Sequence, residues 1–155
     1  MIGVDPGLAA VGWGVIDEEN RRLVYRAHGC IETGAGLPRA ERLLIIYEQI
    51  RGLLETWRPN ESAIETLFFS RNRSSALAVA EARGVISLAL ARSGLAVREF
   101  SPNAIKQAVV GHARADKTQV QEMTRLLLAL PEIPRPDHAS DALAAAICAA
   151  NSPDI

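Results

Sequence analysis

Short apolar runs separated by turn signals open the chain. Apolar patterning over Met1–Asp5, Gly12–Asp17 and Leu23–Glu32 predicts three strands. Turn-forming residues at Pro6-Gly7 and Glu18-Glu19-Asn20 separate these strands. Because short turns join strands that pair antiparallel, this part of the sequence predicts an antiparallel meander.

After Pro38 the apolar period becomes helical, and helices alternate with short strands. In chain order the pattern predicts a helix from Pro38 to Pro59, a strand at Ser62–Glu65, a loop at Thr66–Arg73, a helix at Ser74–Ser93, a strand at Ala96–Phe100, and helices at Pro102–Val109, Asp116–Leu130 and Asp137–Ala150. Strands joined through helices pair in parallel with right-handed crossovers. The chain is therefore predicted to fold as an α/β protein with a five-stranded mixed sheet and helices on both faces.

Local signals mark where three of these helices begin. Ser101 is followed by Pro102, which is the usual order of an N-cap and a first helical residue. Asp116 and Gln119 have the spacing of a capping box. Asp137 stands at the start of the last helix, and we predict that its side chain caps that helix.

The composition is that of one ordinary globular domain spanning residues 1–155. Hydrophobic residues make up 48% and charged residues 23% of the 155 residues. No apolar run approaches the roughly 18 to 20 residues that cross a bilayer, and no signal peptide precedes Asp5, so a cytoplasmic protein without a membrane partner is expected. Cys30 and Cys148 lie in apolar surroundings, which favours buried thiols over a disulfide or a zinc site.

The charge is nearly balanced overall and uneven locally. A net charge of −1 does not by itself indicate a protein that binds nucleic acid. However, Lys106 and Lys117, the only lysines of the chain, fall in one stretch with Arg114, and Arg71 and Arg73 lie in a loop without acids. These two patches could contact phosphate groups, although ordinary solvated loops would have the same composition.

Acidic residues occur at the ends of two predicted strands and on the last helix. Asp5 and Glu65 each end an apolar strand, and Asp137, His138 and Asp141 follow on the final helix. If the first and fourth strands are neighbours, Asp5 and Glu65 emerge side by side, and the first turn of that helix can lie across them. Local turn or capping roles would also account for each of these residues separately.

Carboxylates brought together in this way are unfavourable unless a positive charge lies among them. A divalent metal supplies that charge, and Mg²⁺, which takes oxygen ligands and retains several waters, suits an open carboxylate site. Two such ions can activate a water and stabilise the leaving oxygen of a phosphodiester. An imidazole such as that of His138 fits Mn²⁺ somewhat better, because it is a softer ligand.

Several segments, taken in their order along the chain, resemble the RuvC family of Holliday-junction resolvases within the ribonuclease H-like superfamily. The resemblance covers nearly the whole chain, and the order of its six segments makes it specific. The segments are Gly3-Val4-Asp5-Pro6-Gly7 with Gly12-Trp13-Gly14, Ile64-Glu65-Thr66-Leu67-Phe68, Ala82-Arg83-Gly84-Val85, Lys106-Gln107-Ala108-Val109-Val110-Gly111, Lys117-Thr118-Gln119-Val120-Gln121, and Asp137-His138-Ala139-Ser140-Asp141-Ala142-Leu143.

The resemblance implies a metal-dependent endonuclease that cuts two strands of a four-way DNA junction. In the family pattern, Asp5, Glu65 and Asp141 are catalytic acids that bind metal. The fourth ligand lies three residues before the last acid, which selects His138 and leaves Asp137 as a cap. The resemblance thus implies a site for two Mg²⁺ ions, in which Mn²⁺ can substitute.

The resemblance also implies contacts with DNA and with other proteins. Phe68 is expected to stack on an unpaired base near the crossover, and Phe69 to share that task or pack beneath it. Lys106 and Lys117 match DNA-contacting lysines, and Lys117 is further expected to stabilise transition-state charge. A two-fold junction calls for a homodimer, with the helix Ser74–Ser93 as its candidate contact. A branch-migration motor of the RuvA and RuvB type is the implied partner.

Three other functions stay open at this point. Asp-Pro-Gly before a hairpin also resembles the phosphate-binding turn of actin-like ATPases and sugar kinases, but those proteins need two such lobes and this chain has room for one. A junction-binding subunit without cleavage activity is a second alternative, although all four proposed ligands are present. A nuclease that acts on structured RNA is the third.

Overall fold

The computed structural model describes residues 1–66 and 73–152, and for residues 73–75 it describes the backbone only. The described elements are, in chain order, β1 Ile2–Asp5, β2 Ala10–Glu19, β3 Arg22–Glu32, α1 Arg39–Trp57, β4 Ser62–Glu65, α2 Arg73–Arg92, β5 Val97–Phe100, α3 Pro102–Val110, α4 Lys117–Leu127 and α5 Asp137–Ala150. Every strand and helix expected from the apolar pattern is present, with ends that shift by a few residues.

The described strands form one mixed sheet of five strands in the order β3-β2-β1-β4-β5. β1, β2 and β3 pair antiparallel as a meander, whereas β4 runs parallel to both β1 and β5. The register places Val4 beside Ile64, so the next residues, Asp5 and Glu65, leave the sheet at the same edge. The predicted sheet is confirmed, including the pairing of the first strand with the fourth.

Helices cover both faces of the sheet, as predicted. On one face, α1 and α2 pack against the strands through a buried cluster that includes Ile46, Ile50 and Ile86. On the other face, α3, α4 and α5 pack together, and Leu143 and Ile147 of α5 are fully buried. Burying a side chain of this size contributes roughly 1.5–3 kcal/mol. The helix that carries His138 and Asp141 is therefore fixed firmly by the core.

Glycines allow α5 to lie directly on the sheet. A Cβ at Gly12 would stand 1.9 Å from the carbonyl oxygen of His138, and one at Gly3 would stand 2.0 Å from that of Ala142. A side chain at either position would force the backbone of α5 to shift, because packed interiors leave no room for such overlap. Gly12 pairs with Asp5 across the β1–β2 ladder. The first turn of α5 is thus brought directly to the end of β1.

Two of the three predicted helix starts are confirmed. The Ser101 hydroxyl accepts a hydrogen bond from the Ala104 N–H at the start of α3. Asp116 and Gln119 form a complete capping box, in which each side chain accepts from the other residue's backbone N–H. Both helices therefore begin where short-range chemistry alone places them.

The predicted cap on α5 is wrong. Pro136 is the N-cap residue of this helix, and no side chain caps it. The Asp137 carboxylate instead forms ion pairs with Lys117 and Arg135. These cationic partners take the oxygens that a cap would turn toward the backbone N–H groups.

Both cysteines are free thiols; Cys148 is buried, as expected, whereas Cys30 is only half-buried because it lies on the edge strand β3. Among the described residues, no helix combines the length and the apolar character needed to cross a membrane.

Candidate active site

Two acids meet at one edge of the sheet because their strands run side by side in parallel. Asp5 ends β1 and Glu65 ends β4. The residues before them, Val4 and Ile64, are paired and fully buried, so the core holds the backbone that carries both carboxylates. Asp5 and Glu65 themselves are half-buried and stay accessible from solvent. Rigid placement with partial access is what a ligand-binding acid requires.

The first turn of α5 supplies two further polar side chains. His138 Nδ1 lies 2.7 Å from Asp5 Oδ2. When Asp5 is ionised, its carboxylate accepts this hydrogen bond from a protonated Nδ1. Asp141 lies three residues further along, on the same helical face as His138. Burial is the main cause that raises the pKa of Asp5 and of Glu65, and the charge of Asp141 adds to both rises, so Asp141 lies close enough to act on both acids.

A lysine at the start of α4 reaches into this acidic cluster. Lys117 Nζ lies 3.1 Å from Asp141 Oδ2 and 3.3 Å from Asp137 Oδ2. Burial lowers the pKa of Lys117, but the hydrogen bond to Asp141 and the acidic charges outweigh that effect and leave the pKa raised. The ammonium is therefore charged at neutral pH and neutralises part of the cluster.

The two acids at the strand ends are less well neutralised. Burial raises the pKa of Asp5, the hydrogen bond from His138 opposes this rise, and the charge of Asp141 adds to it. Burial, followed by the charges of Asp5 and Asp141, raises the pKa of Glu65 to about 7. Carboxyl groups whose pKa values are raised by burial and by like charge are poorly compensated in their ionised form. A cation between them would supply the compensating charge.

The side chains fit a divalent cation by their chemistry. Three carboxylates and one imidazole are ligands that Mg²⁺ and Mn²⁺ accept, and a cation would relieve the repulsion at Asp5 and Glu65. Among the residues that the structure describes, no three His, Cys, Asp or Glu side chains already form a group that could hold a metal ion. His138 engages Oδ2 of Asp5 and Lys117 engages Oδ2 of Asp141, so each of these carboxylates already has a nitrogen partner at one oxygen.

A pocket with a volume of about 190 Å³ opens beside the acids. Glu65 and Asp141 line it together with Lys106 of α3 and Lys117 of α4, and Ile105 forms part of its apolar wall. The two lysines that the sequence analysis assigned to DNA contacts thus lie next to the acids. A polyanion approaching this pocket would meet positive charge beside the carboxylates.

The other residues predicted to contact DNA are only partly described. Arg114 is exposed on the segment between α3 and α4. Arg73 is the first residue of α2, and its side chain is outside the described part. Phe68, Phe69 and Arg71 lie outside the described residues. The roles of all five stay predictions from the sequence.

Asp137 belongs to the cluster in a way that the sequence analysis missed. Its carboxylate contacts Lys117 and, at 2.6 Å, Arg135. The hydrogen bond from Lys117 lowers the pKa of Asp137. The available signal was its spacing from Asp141, which puts both acids on one face of α5. Lys117 comes from a different helix, so the spacing could not identify this partner.

The fold and the site together define the class of protein. The mixed sheet in the order β3-β2-β1-β4-β5, with acids at the adjoining ends of β1 and β4 and another on the closing helix, is that of the ribonuclease H-like nucleases. A family model described as Crossover junction endodeoxyribonuclease RuvC matches residues 1–149. The chain belongs to this RuvC family and is therefore a structure-selective DNA endonuclease that depends on divalent metal.

Curated relatives align over almost the whole chain. A crossover junction endodeoxyribonuclease RuvC of Treponema denticola is 52% identical over 155 residues, which is 100% of this chain and 87% of the relative. A protein of the same name from Heliobacterium modesticaldum is 51% identical over 152 residues, which is 98% of this chain and 94% of the relative. The resemblance inferred from the motifs is thus confirmed over the full length of the fold.

Solved structures give the same result. Thermus thermophilus RuvC matches with a TM-score of 0.90 and 34% identity, covering 97% of this chain and 94% of that one. T. thermophilus RuvC in complex with Holliday junction substrate matches with a TM-score of 0.90 and 34% identity over 96% of this chain and 92% of that one. The yeast mitochondrial Holliday junction resolvase matches with a TM-score of 0.70 and 11% identity, over 97% of this chain and 78% of that one. At this identity the match shows the fold alone.

Proposed function

We propose that this chain resolves four-way DNA junctions by hydrolysing two phosphodiester bonds at symmetry-related positions, during recombination and repair. The observation that carries the proposal is that Asp5, Glu65 and Asp141 share one site with Lys117 in a chain of the RuvC family. The solved relative with a junction substrate supports the choice of DNA. We further propose that residues 1–155 form one nuclease domain that acts in the cytoplasm, without a membrane partner.

We propose Mg²⁺ as the cofactor, with two ions in each site and Mn²⁺ as a substitute. Asp5, Glu65, His138 and Asp141 would hold the ions through three carboxylates and one imidazole. When bound, such ions activate a water and stabilise the leaving oxygen of a phosphodiester. The raised pKa of Glu65, caused by burial and by the charges of Asp5 and Asp141, supports a site that is completed by added positive charge.

The remaining polar residues of the pocket orient the scissile strand. Lys106 and Lys117 lie beside the acids, so a phosphate drawn to their ammonium groups reaches the carboxylates as well. Lys117 is further proposed to stabilise the charge that develops on the phosphate in the transition state. Hydrolysis in this arrangement would leave a 5′ phosphate and a 3′ hydroxyl, so that matched nicks can be ligated.

The junction itself would be held by residues around this pocket. Phe68 is proposed to stack on an unpaired base at the crossover, with Phe69 beside or beneath it, because an aromatic ring stacks on any base. Arg71, Arg73 and Arg114 would contact phosphates. Local cations are needed for this, since the net charge of −1 provides no general attraction to DNA.

Two assembly partners are part of the proposal. A homodimer would present two active sites to the two-fold junction. Leu77 and Leu88 support α2 as its contact, since they are 57% and 54% exposed and lie eleven residues apart, on one helical face. A branch-migration motor of the RuvA and RuvB type is proposed to deliver the junction.

Substitution of Asp5 tests the proposed function. Asp5→Asn keeps the size of the side chain but removes a charge from the proposed metal site, so it should bind a synthetic four-way junction and cut it at least about 100-fold more slowly. Gel-shift and nicking assays would be run in Mg²⁺, in Mn²⁺ and in EDTA, with linear duplex and structured RNA as further substrates. Asp17→Asn, at the far end of β2, is the matched control and should cut normally.

Each result of this experiment decides between functions. Wild-type cleavage of junction DNA that EDTA abolishes supports the resolvase. Binding without cleavage by the wild type would identify a junction-binding subunit, and preferential cleavage of structured RNA would identify an RNA nuclease. Full activity of Asp5→Asn would remove Asp5 from the mechanism.

A further inference from the structure

Asp137 occupies a position that the proposed active site does not explain. Its Oδ2 lies 3.3 Å from Lys117 Nζ, and its Oδ1 lies 2.6 Å from an Arg135 nitrogen. It does not cap α5, since no side chain does. Lys117 therefore has two carboxylate partners on the first two turns of one helix, and only Asp141 belongs to the proposed metal-binding set.

The two partners of Lys117 differ in what a bound cation would do to them. Asp141 lies among the acids that we propose as ligands, and an ion held there would repel the ammonium from it. Asp137 lies further outward, with its side chain 44% exposed against 27% for Asp141. Asp137 can continue to pair with the Lys117 ammonium, because Asp137 is not one of the proposed metal ligands.

The backbone around Lys117 is held in place, so only the side chain of this residue can change position. Lys117 is the first residue of α4, directly after the capping box of Asp116 and Gln119. Val120, one turn along, is buried in the core. A long lysine side chain loses rotamer freedom when it is held in one place. Without a partner, its ammonium would sample many positions at the rim of the pocket.

We propose that Asp137 is a positioning residue for Lys117. It retains the ammonium at the rim of the active site after Asp141 has turned to a cation, and Lys117 can then face the phosphate rather than open solvent. This inference rests on the proposed function, because it assumes that Asp141 binds metal. The measurement that decides it follows the lysine side chain directly and requires no cleavage.

The chain offers a simple probe, since Lys106 and Lys117 are its only lysines. Protein labelled with ¹³C in lysine should show two Cε signals, which Lys106→Arg would assign. A lysine held by a carboxylate gives two distinct Hε shifts, and a freely rotating one gives a single averaged shift. In the wild type the Hε shifts of Lys117 should stay distinct both without and with saturating Mg²⁺.

Asp137→Asn keeps the shape of the side chain and removes its charge. Without Mg²⁺ the Lys117 Hε shifts should stay distinct, because Asp141 still pairs with the ammonium. With Mg²⁺ they should merge, while the Lys106 signal is unchanged. Glu122→Gln, which breaks the half-buried ion pair with Arg125 on α4, is the matched control and should behave as the wild type. Distinct shifts in Mg²⁺-loaded Asp137→Asn would overturn the proposal.

Cleavage kinetics give a second, independent test. At saturating Mg²⁺, Asp137→Asn should lower the single-turnover rate on a synthetic junction roughly two- to five-fold, as expected for an exposed ion pair. In a Lys117→Met background it should have no further effect, because Asp137 acts through Lys117. Equal losses in both backgrounds would overturn the proposal in favour of a structural role at the start of α5. If the wild type does not cut junctions, the proposed function fails, and the lysine spectra still decide the role of Asp137.

Discussion

Glu65 illustrates at the residue scale how a fold changes the acidity of an ordinary side chain. Its strand ends at the sheet edge beside Asp5, and burial together with the charges of Asp5 and Asp141 raises its pKa to about 7. A glutamate in that condition is unfavourable in its ionised form. Ionisation of Glu65 at neutral pH therefore lowers the stability of the folded state, and added positive charge can restore it.

A pH dependence of stability follows from this raised pKa. The ordinary pKa of a glutamate is 4.5 and that of folded Glu65 is about 7, so the folded state holds the proton more tightly than the unfolded chain. The contribution of Glu65 to stability is full below the unfolded pKa and is lost as the pH rises through the folded pKa. In EDTA, Glu65→Gln should therefore raise the free energy of unfolding relative to the wild type by roughly 1–3 kcal/mol at pH 8 and by much less at pH 5.

Urea unfolding followed by circular dichroism at the two pH values would measure this difference. Glu18→Gln, at an exposed acid on β2, serves as the control and should change stability equally at both values. Saturating Mg²⁺ at pH 8 should stabilise the wild type and have less effect on Glu65→Gln. A Glu65→Gln variant with the same stability difference at pH 5 and pH 8 would contradict the raised pKa.

At the scale of elements, α5 is the part of the fold that completes the site. It is hydrophobic on nearly all sides and lies between the sheet and the helices α3 and α4, as expected of a central helix. Its first turn carries His138 and Asp141. The distance between this turn and β1 decides whether these side chains reach Asp5, and Gly12 sets that distance.

Gly12→Ala tests the close packing of α5 on the sheet. The added Cβ would stand 1.9 Å from the His138 carbonyl oxygen, so the first turn of α5 must move away from β2. Overpacking of this kind costs about 1–3 kcal/mol of stability. Cleavage should fall by more than about ten-fold, because small misplacements of catalytic groups have effects of this order.

Gly52→Ala is the matched control for this substitution. Gly52 lies within α1, and a Cβ there meets no atom within 4 Å. Alanine is the better helix former, so stability should rise by about 0.5–1 kcal/mol with cleavage unchanged. Thermal unfolding and junction cleavage would be measured on both variants. Normal activity of Gly12→Ala would show that α5 tolerates a shift without loss of the site.

At the scale of the whole molecule, the two faces of the sheet serve different purposes. The helices α3, α4 and α5 carry the candidate active site on one face. On the other face, α2 exposes Leu77 and Leu88, which are large apolar side chains with no assigned partner. An interface there would leave the active-site face of each copy free for DNA.

Leu88→Glu tests this assignment of the dimer. A charge placed in an apolar interface should weaken the dimer by at least about ten-fold, since central interface residues commonly contribute more than 1 kcal/mol. Sedimentation equilibrium would measure the association. On a cruciform plasmid, the variant should release single-nicked products, because the second cut would no longer follow within the same complex.

Leu126→Glu is the matched control for this experiment. Leu126 is 53% exposed, against 54% for Leu88, and lies on α4 on the opposite face of the sheet. The control should dimerise normally and give paired cuts. Normal association of Leu88→Glu would exclude this part of α2 as the contact.

The sequence was most informative where structure depends on near neighbours. Alternating and helical apolar periods identified every described strand and helix, and Ser101 and Asp116 began their helices through contacts within one turn. Asp137 shows the limit of this reasoning. A short-range cap was the natural prediction, but a partner from another helix, Lys117, competes for the same carboxylate.

By itself, the amino-acid sequence determined the α/β elements, the RuvC resemblance, and the acids and lysines of the candidate site, because periodicity and motif order are written along the chain. Only the tertiary structure decided that Asp5 and Glu65 share an edge, that Gly12 brings His138 within 2.7 Å of Asp5, and that Lys117 lies between two carboxylates. These distances depend on strand order and on the packing of α5, which bring together residues far apart in the chain, such as Asp5 and His138. Local sequence patterns do not predict such contacts.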